Sequence, residues 1–242
     1  MAATRTLRLC MRGASLADGP GGVKPRLRIR CLVAILAIVA AAGLTAPPAS
    51  AADARSEARR LQAGLRQVRA LVGRFTQVVE SPGLPSPRIE RGTVHLARPG
   101  RMRWEYDEPA GKLAVTDGTR AWLYIPEDRQ VIVSPLRLRE SGIGTLLDEK
   151  AEIIREFTVT WDQAASPAPR RLRLTPRRPG ASFDHLLVEP GPDTFPVSIA
   201  VVDPLGGTVT WRFSLVRLLN EADPALFRFT PPPGVEVQES GP

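Results

Sequence analysis

Thiols and imidazoles are almost missing from this 242-residue chain: it has two cysteines, Cys10 and Cys31, and two histidines, His95 and His185. Too few soft ligands remain for a His/Cys metal site, so no metal and no cofactor is expected. No G-x-S-x-G elbow, phosphate-binding P-loop or dinucleotide fingerprint occurs either. The inventory that nucleophilic or acid–base catalysis needs is absent, and no catalytic residue is nominated. Glu105, Asp107 and Glu108 could offer a carboxylate pair, but Glu105 and Asp107 alternate with Trp104 and Tyr106, as a solvated strand face does. Aromatics are scarce at seven Phe, four Trp and two Tyr, whereas proline (24) and glycine (20) are plentiful. Many short elements joined by turns fit that balance, and a bundle of long helices does not.

Charge of one sign is also missing from most of the chain. The formal net charge of +8 suggests a polyanion partner until its location is read. Residues 1–51 carry seven bases and one acid, leaving 26 bases and 24 acids in residues 52–242. The body is nearly neutral, so no nucleic-acid partner is expected.

The basic first segment has its own logic. Lys24 to Arg30 is basic, Cys31 to Leu44 is an apolar run of 14 residues, and Pro47-Pro48 and Ala49-Ser50-Ala51 follow. That run is shorter than the roughly 20 residues a membrane-spanning helix needs, and the small residues suit a signal peptidase. Residues 1–51 are therefore read as a signal peptide cleaved after Ala51, with an uncleaved anchor as the alternative and either Met1 or Met11 as the start. The exported remainder, residues 52–242, has no cysteine to oxidise or acylate. A single domain without disulfides is expected.

Downstream, Leu61, Leu65, Val68, Leu71 or Val72, and Phe75 recur at helical spacing and predict one amphipathic helix from Asp53 to Phe75. After Pro82, Pro85 and Pro87 the period becomes two. Met102, Trp104 and Tyr106 alternate with charged residues, and Phe157, Val159 and Trp161, Leu172 and Leu174, and Val209, Trp211, Phe213 and Leu215 repeat that pattern. About ten or eleven strands in a meandering antiparallel sheet follow. A second, broken helical patch is expected between Pro135 and Lys150, weakened by Gly142 and Gly144, and a short turn after Asp223-Pro224. One large sheet with a dry face and little helix must curl and be covered. A mainly β fold, an unclosed half-barrel under a few helices, is the expected architecture. Its interior is either an apolar cavity or a core filled by side chains, and periodicity alone leaves both open.

Four segments come in order: Arg74–Gln77 (RFTQ), Gly92–Trp104 (GTVHLARPGRMRW), Leu113–Pro126 (LAVTDGTRAWLYIP) and Phe227–Val237 (FRFTPPPGVEV). Together they resemble the periplasmic outer-membrane lipoprotein carriers, the LolA family, over nearly the whole exported chain. The resemblance implies an unclosed barrel with a helical lid over an apolar cavity. It also implies a periplasmic chaperone that takes acylated lipoproteins from an inner-membrane ABC-type release complex to an outer-membrane receptor. Arg98 matches the family's strand arginine, which implies a latch that hydrogen-bonds lid carbonyls. Without that match, Arg98 reads as an exposed residue before a turn. Met102, Trp104, Trp122, Tyr124, Trp211 and Phe213 are the candidates for the acyl-chain cavity, with plain core as the alternative. Leu61, Leu65, Leu146 and Leu147 are the candidates for the lid helices. A monomer is expected, since one mouth must meet two partners in turn.

The main rival is another half-barrel lipid or glycolipid binder, with a sensing or other carrier role; a secreted hydrolase and a purely structural β domain are weaker ones. On export the protein is expected to begin at Ala52, and N-terminal sequencing that reads an intact leader overturns that expectation.

Overall fold

A computed structural model describes residues 51–138, 142–163, 169–192 and 195–240. Residues 1–50, which hold all of the expected leader except Ala51, lie outside the described residues. No helix among the described residues is long and apolar enough to cross a membrane.

The first element, α1 (Ala51–Gln67), buries Ala54, Ala58, Leu61 and Leu65 as one stripe, and turns Arg55, Arg59 and Arg66 to solvent. Asp53 in its first turn and Arg66 in its last suit the helix dipole. The helix is shorter than the spacing predicts. Only Val68 and Arg69 separate it from β1 (Ala70–Glu80), so Leu71 and Phe75 belong to a strand. A separation of four residues fits the same face of a helix or of a strand, which explains the misreading.

The chain then meanders through β2 (Arg88–Ala97), β3 (Arg101–Glu108), β4 (Leu113–Asp117), β5 (Arg120–Ile125) and β6 (Gln130–Pro135). Two short helices, α2 (Gly142–Leu147) and α3 (Ile153–Glu156), lead into β7 (Phe157–Trp161), β8 (Leu172–Pro176), β9 (His185–Glu189), β10 (Ser198–Val202) and the long β11 (Thr208–Leu219). A 3-10 turn at Pro224–Phe227 and β12 (Glu236–Glu239) end the chain. Asp223 caps that turn, its carboxylate accepting from the Ala225 amide at 2.8 Å, with proline in the first turn.

All twelve strands form one sheet in the order β12-β6-β5-β4-β3-β2-β1-β11-β10-β9-β8-β7. It does not close, leaving β12 and β7 as edges. Neighbours are antiparallel except β12, which runs parallel to β6. The departure from a pure meander arises because the tail crosses the sheet before pairing, so it arrives in the same direction as β6. The β12 sequence EVQE is exposed throughout, and its two glutamates discourage further strands from adding at that edge.

Strand register fixes two faces. On the inner face, Leu71, Phe75, Val94, Leu96, Met102, Trp104 and Phe213 share one buried cluster with Ala54, Ala58, Leu61, Leu65 and Leu146 of the helices. The outer face carries ion pairs, including Arg74 with Asp107 and Arg91 with Glu108. His95 lies on this face beside Arg103, while His185 is buried at the start of β9. Two glycines permit close approaches. A Cβ on Gly92 would stand 1.9 Å from the Glu105 carbonyl oxygen, at the bulge where β2 slips against β3. A Cβ on Gly142 would stand 2.5 Å from Val201 Cγ2 and 2.9 Å from Leu186 Cδ2. The glycine that lowers the helix propensity of α2 thus lets its backbone rest directly on β9 and β10.

Adding one methyl there overpacks a filled site. Gly142→Ala is expected to cost about 1–3 kcal/mol, read as a lower midpoint of urea unfolding with an unchanged slope; an unchanged midpoint would contradict this packing.

Candidate functional site

Between the inner face of the sheet and the helices lies an apolar trough. Its walls come from alternate residues of β1, β2, β3 and β11, and its roof from the buried stripe of α1 together with α2. The aromatic wall is built edge to face: Phe75 meets Trp104 and Tyr106 at ring distances of 5.0 Å, and Phe195 meets Phe213 at 5.1 Å. With the helices in place, the pocket bounded by Val68, Leu96, Met102, Leu138 and Leu147 has a volume of about 20 Å³. Such a space holds about one water and no fatty chain. A long apolar ligand entering at this point must displace the roof.

Arg98 ends the inner rim of β2. Its Nε donates to the Val68 carbonyl at 2.8 Å, Nη2 to Leu65 at 2.7 Å and Nη1 to Leu147 at 2.8 Å. The first two acceptors close the end of α1, and the third is the last residue of α2. Carbonyls at helix ends have no partner within the helix, so a planar fork with five N–H groups suits them. One side chain thereby ties the sheet to both pieces of the roof. Its side chain is 15% exposed, with a Glu149 carboxylate oxygen 4.0 Å away. Burial lowers the Arg98 pKa, while Glu149 and Asp148 oppose that shift. The guanidinium stays charged under all ordinary conditions.

Gln62 of α1 joins the two pieces of the roof to each other. Its Oε1 accepts from the Ile153 amide at 2.8 Å and its Nε2 donates to the Ala151 carbonyl at 3.4 Å. The segment between α2 and α3 is thus held on α1 without help from Arg98.

At the other end of the trough stands a polar cluster. Glu90, 2% exposed, lies opposite Gln77 on the inner face. Its carboxylate accepts from Lys112 Nζ at 2.9 and 2.8 Å and from Gln77 Nε2 at 2.8 Å, with Arg88 Nε at 3.4 Å. Gln77 Oε1 in turn accepts from the Tyr106 hydroxyl at 3.0 Å and the Trp211 indole at 2.8 Å. Burial, reinforced by the Glu90 charge, pushes the Tyr106 pKa up and keeps that hydroxyl a donor.

The structure brings together four of the six cavity candidates. Met102, Trp104, Trp211 and Phe213 share the inner face. Trp122 and Tyr124 do not: Trp122 pairs with Val115 and Tyr124 with Leu113, on the face away from Trp104 and its partner Ala114. There Tyr124 approaches Phe229 of the tail at 6.1 Å between rings. Their alternation within β5 was plain, but the strand's phase relative to β3 was not readable. The tail covers this outer face, with Phe227 buried against Ala70 and Ala97 and the Arg101 guanidinium 5.4 Å above its ring. Of the roof candidates, Leu61, Leu65 and Leu146 are buried in the cluster and Leu147 packs against it. Sequence reading missed Gln62 and the Glu90 cluster. For Glu90 the signal was present, since it continues the alternation of Leu96, Val94 and Gly92 along β2.

Residues 66–230 match the protein family described as "Outer membrane lipoprotein carrier protein LolA". The chain is 34% identical to an outer-membrane lipoprotein carrier protein of Bordetella pertussis over 215 residues, 86% of this chain and 97% of the relative. It is 34% identical over 176 residues to the protein of that name from Alkalilimnicola ehrlichii, covering 72% and 79% of the two chains. Among solved structures, a LolA superfamily protein of Nitrosomonas europaea aligns with 73% of this chain and 97% of its own, at 12% identity and a TM-score of 0.42. The MucA/MucB complex of Pseudomonas aeruginosa aligns over 72% and 60%, at 18% identity and a TM-score of 0.41.

Replacing Gln62 by leucine removes both side-chain bonds to the α2–α3 segment. Each contributes about 0.5–1.5 kcal/mol, so hydrogen exchange at the Ile153 amide is expected to quicken several-fold in Gln62→Leu; unchanged protection there would mean that Gln62 does not hold the segment.

Proposed function

Because the chain belongs to the outer-membrane lipoprotein carrier (LolA) family, we propose that it shields the acyl chains of lipoproteins and shuttles them across the periplasm. The donor in this reading is an ATP-driven inner-membrane release complex, and the acceptor an outer-membrane receptor. The family is one of carriers, and no reaction is assigned to the chain. The expected leader in residues 1–51 supports export, and its cleavage after Ala51 leaves residues 52–242 as the carrier domain.

Arg98 gives this reading its mechanism, because a single guanidinium holds α1 and α2 against the sheet over an apolar trough. Hydrogen bonds to a charged group contribute about 1.5–3 kcal/mol each, less when their acceptors are rehydrated on opening. Each acyl methylene removed from water gains about 0.8 kcal/mol, or about 12 kcal/mol for a sixteen-carbon chain. The balance therefore favours opening when cargo enters and closing when it leaves. We propose Met102, Trp104, Trp211 and Phe213 as cavity wall, Leu61, Leu65, Leu146 and Leu147 as the apolar side of the lid, and Arg98 as the latch. A latch that favours the empty state lowers the affinity for cargo, which is what transfer to a receptor requires. No phosphate-binding motif lies in the chain, so the direction of transfer comes from the partners. A monomer suits serial docking.

Two outcomes test this. Arg98→Leu is expected to bind acylated lipoprotein but to hand little of it to the receptor, and normal transfer by that variant would remove the latch from the mechanism. Protein captured from periplasm is expected to carry acylated peptides by mass spectrometry; free lipid or glycolipid alone would favour the rival half-barrel binder.

A further inference from the structure

The polar cluster around Glu90 is not used by the latch, and it stands across the apolar trough. From Leu96 near Arg98 to Glu90, six residues of strand extend about 20 Å at 3.4 Å per residue. Over that length the inner-face positions of β2 are Leu96, Val94, Gly92 and then Glu90. On β1 the corresponding sequence is Leu71, Gly73, Phe75 and then Gln77, and on β3 Met102 and Trp104 lead to Tyr106. β1 and β2 turn polar at the paired Gln77 and Glu90; Tyr106 of β3 stands one inner-face position earlier, opposite Gly92, and its hydroxyl reaches Gln77, as does the Trp211 indole from β11. Lys112, 14% exposed at its side chain, bridges Glu90 from β4's leading end and lies 4.4 Å from the Tyr106 ring.

The polar groups of the cluster are engaged with one another. Glu90 has Lys112 and Gln77; Gln77 Oε1 has Tyr106 and Trp211. We infer that Glu90, Lys112 and Gln77, with Tyr106 and Trp211, form a depth stop that sets the longest acyl chain the trough accommodates. The inference rests on the carrier reading and adds a specificity determinant to it. A chain terminus pushed past Phe75 and Trp104 must separate the buried Glu90 from Lys112, its closest cation, leaving it only the exposed Arg88 at 3.4 Å. Breaking such a pair weakens binding by more than a hundredfold, whereas each further methylene strengthens it only about fourfold. The chain therefore ends at the cluster.

The test is a series of straight-chain fatty acids, from dodecanoic to octadecanoic acid, titrated against the purified exported protein and against Glu90→Leu/Lys112→Leu. Removing both charges together leaves no orphaned ion, and apolar replacement of a buried pair is commonly neutral or stabilising. If the leucine pair does not fold, Glu90→Met/Lys112→Met replaces it, since methionine fills irregular space. For the parent protein, affinity is expected to rise about fourfold per methylene and then level off. In the double variant the rise is expected to continue by two or more carbons. The same levelling point in both proteins, with binding intact, overturns the depth stop and leaves the carrier reading standing. Failure of the parent protein to bind any of the acids, or acylated lipoprotein, overturns both.

Discussion

An open sheet of twelve strands presents an apolar concave face that water cannot be allowed to wet and that no further strand can cover. Every other feature answers that constraint. Closing the sheet on itself would bury the face permanently, and stacking a second sheet on it would do the same. Here α1, α2 and α3 form a roof whose contact with the sheet is apolar over most of its area but is fastened at its edge by hydrogen bonds. Apolar contact is non-directional and can be exchanged for contact with another apolar surface, such as a fatty chain, at little net cost. The fastening gives the roof one defined resting place.

The architecture was largely legible in the sequence because a curled antiparallel sheet writes itself as a period of two. Met102, Trp104, Trp211 and Phe213 read as one face within their own strands and do share a face in space. Trp122 and Tyr124 follow the same rule within β5 yet face the other way, since alternation fixes the sides of one strand and says nothing of its phase against the next. Leu71 and Phe75 were placed on a helix because a spacing of four serves both geometries. Gly142 marked α2 as a poor helix by propensity. Its role in the packing, which lets the backbone touch Leu186 and Val201, depends on contacts across about forty and about sixty residues of sequence that no local pattern contains.

Polar residues on the inner face were the hardest to read. Arg98 stands out only through the family resemblance, and its three acceptors lie at the ends of two helices separated by some eighty residues. Gln62 lies beside the buried stripe of α1, and its amide bridges the backbone at Ala151 and Ile153. Glu90 stands between Arg88 and Arg91, and it is the alternation with Gly92, Val94 and Leu96, fixed by the strand register, that turns it inward. A charge in the interior becomes intelligible once its partners are known, and those partners lie on other strands.

The trough is bounded by two charged side chains with opposite tolerance for disruption. Arg98 binds backbone carbonyls at the ends of helices, which water can take over as the roof lifts, so the cost of release is partly returned. Glu90 is buried and bound to Lys112 and Gln77, so separation would take from a buried charge its closest partners. The two cations are about equally covered, Arg98 at 15% and Lys112 at 14% exposed, and differ in what they hold: backbone carbonyls at helix ends in one case, a buried carboxylate in the other. Between them lies apolar surface with no directional preference, which suits a ligand whose identity is only its length and greasiness. Directional bonds thus mark the two ends of the trough, and contact without direction fills the middle.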